Sequence, residues 1–229
     1  MIIKNKIKAT FACDGIRADK VDYQVLRKMK DAGFKYLSFG VEGGNNRILA
    51  RIKKGETLEQ IEKAIKDSID LGFEVYLFFL VGSPGENVGD VQDSINLALK
   101  YDIAGANFYN LVPFPGTELY DYVEKNKLFL IPPEVYLKDA PYYSDTPVFY
   151  TPEFSRKARI KMLKKTKQVR HKIRNRVLKK RLGKLGVSGK LAYPFLKSEF
   201  IKEVLIGKFL VRVPFIRDIV RKKTEQAFI

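Results

Sequence analysis

The sequence predicts an α/β fold, with about four βα units in a parallel sheet followed by a mainly α-helical, basic C-terminal extension. Two observations predict it. Apolar runs of strand length alternate with segments of helical period through residue 126. The charge then changes abruptly: residues 151–229 hold 24 Lys and Arg against 5 Asp and Glu, whereas residues 1–150 are close to neutral.

The expected strands are 7–13 (IKATFAC), 35–41 (KYLSFGV), 74–82 (EVYLFFLVG) and 105–112 (GANFYNLV). Their nearly unbroken apolar character is what a parallel sheet covered on both faces requires. Between them lie three helical segments. In the first, Val21, Val25, Leu26 and Met29 share a face and Gly33 supplies the stop. In the second, Thr57 and Gln60 form a capping box, Leu58, Ile61, Ala64, Ile65, Ile69 and Leu71 are apolar, and Gly72 ends the helix. The third carries Val91, Ile95, Leu97, Ala98 and Leu99. Four such units make an open sheet or part of a barrel. A short helix is expected over 118–125 and an irregular stretch over 130–152. A long helix follows over 155–182, with Met162, Thr166, Val169, Ile173 and Val177 on one stripe and Lys and Arg elsewhere. A last amphipathic stretch covers Leu196 to Val213, with Phe200 and Phe209 in it and Phe215 just beyond. The domains read as 1–127, a connector at 128–152 and a basic extension at 153–229.

Composition excludes several classes. The single cysteine, Cys13, permits neither an internal disulfide nor a cysteine-rich metal site. It suits a reducing, cytoplasmic setting. The N-terminus lacks the apolar core of a signal peptide, and no apolar run reaches the length of a transmembrane helix. The net charge of +17, concentrated in the extension, suits an anionic partner, either membrane or nucleic acid.

In parallel α/β folds function gathers at the C-terminal ends of the strands, and the unusual residues lie there. Arg17 follows the first strand, where its guanidinium can point into the mouth of the sheet. Glu42 ends the second; its carboxylate can accept from sugar hydroxyls, and Gly43 and Gly44 allow close approach to the backbone. Asn45 and Asn46 are placed to cap a helix. Lys54 offers a cation for a carboxylate or phosphate. Gly82, Pro84 and Gly85 shape a tight turn whose amides could line an adenine or sugar, and Pro113, Pro115 and Gly116 repeat the device one strand later. Taken singly each is ordinary turn composition; their order on successive strands carries the weight.

That order resembles a known family. Arg17, Asp22, Met29-Lys30 and Gly33 are followed by Gly40-Val41-Glu42-Gly43 and by Ile52 with Lys54-Gly55-Glu56-Thr57. Gly82-Ser83-Pro84-Gly85-Glu86 and Pro113 with Pro115-Gly116-Thr117 complete the set. Together they look like the radical S-adenosylmethionine (SAM) superfamily. The closest branch is the one that often carries an N-terminal cobalamin-binding domain and includes methyltransferases, cyclases and methylthiotransferases. The resemblance covers about residues 7–126. It implies a partial (β/α) barrel of the radical SAM type, entered at its third strand because Met1 stands six residues before the first strand here. It implies SAM as ligand. Glu42 then falls at the ribose or amino acid moiety, Lys54 at the carboxylate, and Gly82, Pro84, Gly85, Tyr109 and Pro113 near the adenine. Arg17 falls in the pocket wall. Cobalamin is implied only in a domain outside these residues.

One departure matters for chemistry. The family holds a 4Fe-4S cluster through a CxxxCxxC loop after its first strand, and this sequence has no such loop. Cys13 reads as a small core residue, and His171, among cations, as a surface one. No metal ligand and no catalytic residue are assigned. The expectation is an incomplete radical SAM enzyme that works with a chain or a longer gene product holding the cluster loop, on an unknown substrate. The alternative is a non-catalytic α/β binding module attached by its cationic tail to the inner face of an anionic membrane or to RNA. The apolar stripe and nearby phenylalanines of the tail place membrane before RNA.

Overall fold

The computed structural model describes residues 9–138 and 146–183, together with Ile3, Asn5 and Ile7. The final amphipathic stretch expected over Leu196 to Val213 lies outside the described residues.

Four strands, β1 (Phe11–Ile16), β2 (Phe34–Glu42), β3 (Glu74–Val81) and β4 (Gly105–Asn110), pair in sequence order and in parallel throughout. Helix α1 (Tyr23–Asp31) joins β1 to β2. The short α2 (Asn46–Arg51) and then α3 (Leu58–Asp70) join β2 to β3, and α4 (Val88–Lys100) joins β3 to β4. These are the four βα units in a parallel sheet that the alternation predicts. After β4 come α5 (Glu118–Lys125), α6 (Pro133–Tyr136) and the long α7 (Arg156–Gly183).

Local chemistry sets the helix starts. Asp22 accepts from Val25 N at the start of α1, and Thr57 with Gln60 closes the expected capping box on α3. Asn87 with Asp90 closes a second box on α4. Asn45 caps α2, while Asn46 reaches further and accepts from Leu58 N at the start of α3. Each such cap is worth about 1 kcal/mol because it satisfies an otherwise orphaned N–H group.

On one face, lateral register puts Leu37 beside Val75, then Phe39, Leu77 and Ala106 in one row, and Phe79 and Phe108 in the next. These residues, Val41 and Val81 are buried against Leu26, Ile61, Ile65, Val91 and Ile95 from the helices. Phe79 and Phe108 stack with centroids 4.8 Å apart. The opposite face, with Tyr36, Gly40, Tyr76, Phe78, Leu80 and Tyr109, is only half-buried. The apolar runs therefore do not mean equal cover on both faces; four of those six residues are aromatic. Two further expectations change. The first strand runs later than 7–13 because its register shifts between Cys13 and Ile16, with Gly15 at φ 68° carrying the chain on through what reads as a turn. Val25 is exposed, so Leu26 is the fully buried residue of α1, with Met29 and Val21 packed partly buried beside the core.

The described residues divide into two compact units, Met1–Ile173 and Arg174 onward. The extension assigned by charge to 153–229 therefore begins inside the first unit. Met162, Leu163, Val169 and Ile173 of α7 join the main core, and Thr166 is buried beside them. In the second unit, residues 174–183 are the end of α7. A smaller cluster, Val112, Val123, Leu128, Tyr136, Val148 and Phe149, packs the chain that follows β4.

Candidate functional site

The C-terminal ends of the strands carry two features in the first unit. Above β1 and β2 lies a charged cluster. Lys54 Nζ stands 3.5 Å from Glu42 Oε1 and 3.4 Å from Glu56 Oε2. The Glu56 side chain is fully buried; its Oε1 accepts from Asp19 N at 3.1 Å, and its Oε2 has no hydrogen-bond partner. Arg17 pairs with Asp19 at 2.9 Å and donates to Lys54 O at 3.0 Å. The Arg17 hydrogen bond holds the Asp19 carboxyl well below the usual range. Burial pushes the Glu42 carboxyl up, against the pull of Lys54. Glu42 sits at φ 67°, a left-handed conformation costly for a residue with a side chain, and it leans over Gly40, where a Cβ would meet Glu42 Oε1 at 2.6 Å. Arg17, Glu42 and Lys54, far apart in sequence, are thus brought together. Arg17, however, is half-exposed and turns to Asp19 and the Lys54 carbonyl rather than into the mouth.

Above β3 and β4 lies a cleft of about 570 Å³, walled by Ile52, Leu80, Pro84, Leu111, Leu119 and Tyr122 and bordered by Arg51, Lys53, Glu118, Thr117 and Ser83. Ser83 is 1% exposed and its Oγ has no hydrogen-bond partner. Such a buried hydroxyl costs free energy unless something accepts from it or donates to it. Tyr109 lies on the half-buried face of β4, edge-on to Phe78 at 5.8 Å.

The turn after β3 is not free backbone. Gly82 N and Ser83 N both donate to the buried Glu86 carboxylate, so these two amides are taken and do not line a ligand as expected. Burial pushes Glu86 up to about 7, against those amides and Arg159. Gly85 packs on Arg51 and its carbonyl accepts from Arg47 at 3.0 Å. Gly43 and Gly44 serve packing as well. Ile48 fills the space beside Gly43, and the α4 backbone at Ser94 fills that beside Gly44, leaving no approach for a ligand there. Pro113 is buried and its carbonyl accepts from Tyr136 at 2.7 Å. Glu56 and Ser83 entered the sequence reading only as members of motifs, without a role, and Arg159 did not enter it at all. Arg159 alone left a signal, since it falls on the apolar stripe of α7 three residues before Met162.

A 4Fe-4S cluster does not fit these residues. Cys13 lies within β1, partly buried, and burial with the neighbouring Asp14 charge pushes its thiol up, away from the thiolate a cluster needs. Among the described residues no group of three His, Cys, Asp or Glu could hold a metal ion. No helix among them is long and apolar enough to cross a membrane.

Comparison with known proteins bears on the family. Residues 1–98 match the model of the radical SAM superfamily. The chain is 35% identical over 114 residues to the uncharacterized methyltransferase PH0819 of Pyrococcus horikoshii, covering 50% of this chain and 25% of that protein. It is 30% identical over 117 residues to the heme chaperone HemW of Bacillus subtilis, covering 51% and 31%. It is 29% identical over 127 residues to the putative methylthiotransferase MJ0865 of Methanocaldococcus jannaschii, covering 53% and 28%. Among solved structures, the radical SAM methyltransferase TsrM of Kitasatospora setae aligns with a TM-score of 0.47 at 19% identity, covering 55% of this chain and 24% of that one. The chain thus spans a quarter to a third of the length of these curated relatives.

Proposed function

We propose that this chain supplies the SAM-binding and substrate-facing part of a radical SAM barrel, with the 4Fe-4S ligands coming from residues other than these 229. The reaction class is radical chemistry such as methyl transfer, methylthiolation or cyclisation. The observation that carries the reading is the convergence of Glu42, Lys54 and Glu56 on the same edge of the sheet as the Ser83 cleft. The cluster of Arg17, Asp19, Glu42, Lys54 and Glu56, with Lys20 3.3 Å from Asp19, holds three carboxylates and three cations. Carboxylates and cations side by side complement SAM, whose ammonium and carboxylate stand on one carbon.

In this reading Lys54 turns from Glu42 to the SAM carboxylate, and Glu42, released, accepts from the ammonium or the ribose hydroxyls. The adenine enters the cleft between Leu80, Pro84 and Leu111, and Ser83 Oγ meets a ring nitrogen. Gly82 and Gly85 shape that wall rather than touching the ligand. Tyr109 and Pro113 stand behind it. Cobalamin, where this branch uses it, would meet the substrate from outside these residues.

The test is anaerobic iron–sulfur reconstitution of the chain alone and with a polypeptide carrying a CxxxCxxC segment, read by absorbance near 400 nm, as such clusters show, and by SAM cleavage. A cluster and 5′-deoxyadenosine only in the mixture support the reading. A stably folded chain that yields neither leaves it without a reaction.

A second reading, a binding module for a polyanion, is favoured by one observation. Exposed Lys157, Lys161, Lys164, Lys165 and Lys172 fall within about 100° of one another around α7, along roughly 22 Å of its axis. The helix holds no acidic residue. The apolar stripe that would insert into a bilayer is occupied by the core at Met162, Leu163, Val169 and Ile173. With that anchor gone, a phosphate backbone such as RNA suits this face better than a membrane.

A further inference from the structure

One cation of α7 is buried, and it bonds the backbone of cleft-lining Leu111. Arg159 is 1% exposed, in a helix whose other cations are half-buried or exposed. Its Nη2 donates to Val81 O at 2.9 Å, to Asn110 Oδ1 at 2.7 Å and to Leu111 O at 2.9 Å; Nη1 donates to Phe149 O at 3.2 Å. Its Cζ lies over the Phe149 ring, 4.5 Å from the centroid. Three of those acceptors are the ends of β3 and β4 and the residue after β4, segments separated by some 30 residues of chain. The guanidinium also lies against Gly82, where a Cβ would stand 1.9 Å from Cζ. From the other side Glu86 accepts from Gly82 N and Ser83 N. The turn that presents Ser83 is therefore held between a carboxylate and a guanidinium, and cleft-lining Leu80, Ser83, Pro84 and Leu111 adjoin these contacts in sequence.

A planar fork is needed for this arrangement. Lysine offers its donors from a single nitrogen and cannot reach acceptors on β3, β4 and the 149 segment together. A merely charged group would balance Glu86 but would not fix the geometry.

We propose that Arg159 is a positioning residue for the cleft: from α7 it fixes the Gly82–Ser83 turn and the end of β4, so that Ser83 Oγ and the walls at Leu80, Pro84 and Leu111 face one ligand. The inference rests on reading that cleft as the adenine subsite. It makes the basic helix part of the ligand site, which the charge of the tail alone does not suggest.

The experiment compares the full chain with Arg159→Met, Arg159→Lys and Met162→Ala, the last a core residue of the same helix away from the turn. Equilibrium dialysis gives the Kd for S-adenosylhomocysteine, mass spectrometry gives amide hydrogen exchange over residues 80–86 and 110–112, and thermal melting gives stability. Both Arg159 variants are expected to bind at least tenfold more weakly and to exchange faster in those two segments. Met162→Ala is expected to lower the melting temperature while keeping its Kd within twofold. Should Arg159→Met fail to fold, Arg159→Lys is read the same way. The proposal is overturned if Arg159→Lys binds as the parent does, or if Met162→Ala loses as much affinity as the Arg159 variants. A parent chain that does not bind S-adenosylhomocysteine sinks the adenine reading alone. Exchange then decides for Arg159: faster exchange confined to 80–86 and 110–112 upholds the clamp, and unchanged exchange overturns it.

Discussion

Lys54 is the residue on which the charged cluster depends. Among the described residues it is the only cation within ion-pair distance of the fully buried Glu56, and it also holds Glu42. Removing one partner of a buried pair strands the other charge, which costs about 3–5 kcal/mol, more than the pair itself is worth. Lys54→Met should therefore lower the urea-unfolding free energy by about 3 kcal/mol, and adding Glu56→Gln should restore much of it. A loss in the double variant as large as in the single one would show that Glu56 is not stabilised by Lys54. Glu86 supplies a pH prediction. It binds its proton more tightly in the fold, near 7, than at its ordinary value of 4.5. Its contribution to stability is complete below about 4.5 and is lost as pH rises through about 7, a change on the order of 3 kcal/mol. Glu86→Gln should flatten the fall in stability between pH 5 and 8; an unaltered slope would mean that Glu86 is ionised throughout. Lys54 was legible in the sequence as a cation beside Gly55 in one of the motifs that carry the family resemblance. Glu56 and Glu86 stood in those motifs, but their burial was not legible, because it depends on what the tertiary fold lays over a carboxylate.

At the scale of elements, the turn after β3 and the helix α7 separate two kinds of constraint. Gly82 (φ 110°) and Gly116 (φ 81°) both adopt left-handed backbone, but only Gly82 has a neighbour where its Cβ would be. Gly116→Ala should cost about 1–2 kcal/mol, the backbone term alone. Gly82→Ala adds a clash with a guanidinium held by four bonds and should cost well over twice that, read from urea midpoints. Equal costs would mean that Arg159 yields easily. For α7, five lysines on one stripe predict that binding of single-stranded RNA weakens with salt, with a slope of log Kd on log salt of about 3.5. Lys157→Gln with Lys161→Gln should reduce that slope by about 1.4. An unaltered slope would place the contact elsewhere. Helix periods and caps were legible because they depend on residues three and four apart: Thr57 with Gln60 and the stripe from Met162 to Ile173 fell where expected. Strand limits were less so. The continuation of β1 through Asp14 and Gly15 depends on pairing with β2, which no local pattern announces.

For the whole molecule, the change in charge near residue 153 and the edge of the compact unit at Ile173 disagree, and the disagreement can be tested. Charge counts surface, whereas folding counts what is buried. Between 156 and 173 the chain contributes Met162, Leu163, Val169 and Ile173 to the core and Arg159 to the strand ends. Losing even two such aliphatic side chains costs about 4–10 kcal/mol, comparable with the whole stability of a typical domain. A chain ending at residue 153 should therefore fail to unfold cooperatively and should aggregate through the bared sheet and helix faces. A chain ending at residue 173 should melt in one transition, though without the last cations of α7. Circular dichroism melts and light scattering on the two truncations decide the matter. A cooperative melt from the shorter chain would mean that α7 rests on a fold complete without it. An aggregated longer chain would move the true edge of the unit beyond Ile173. The expected pair of results would establish that a segment whose composition marks it as an appendage is, for its first half, part of the core that holds the site.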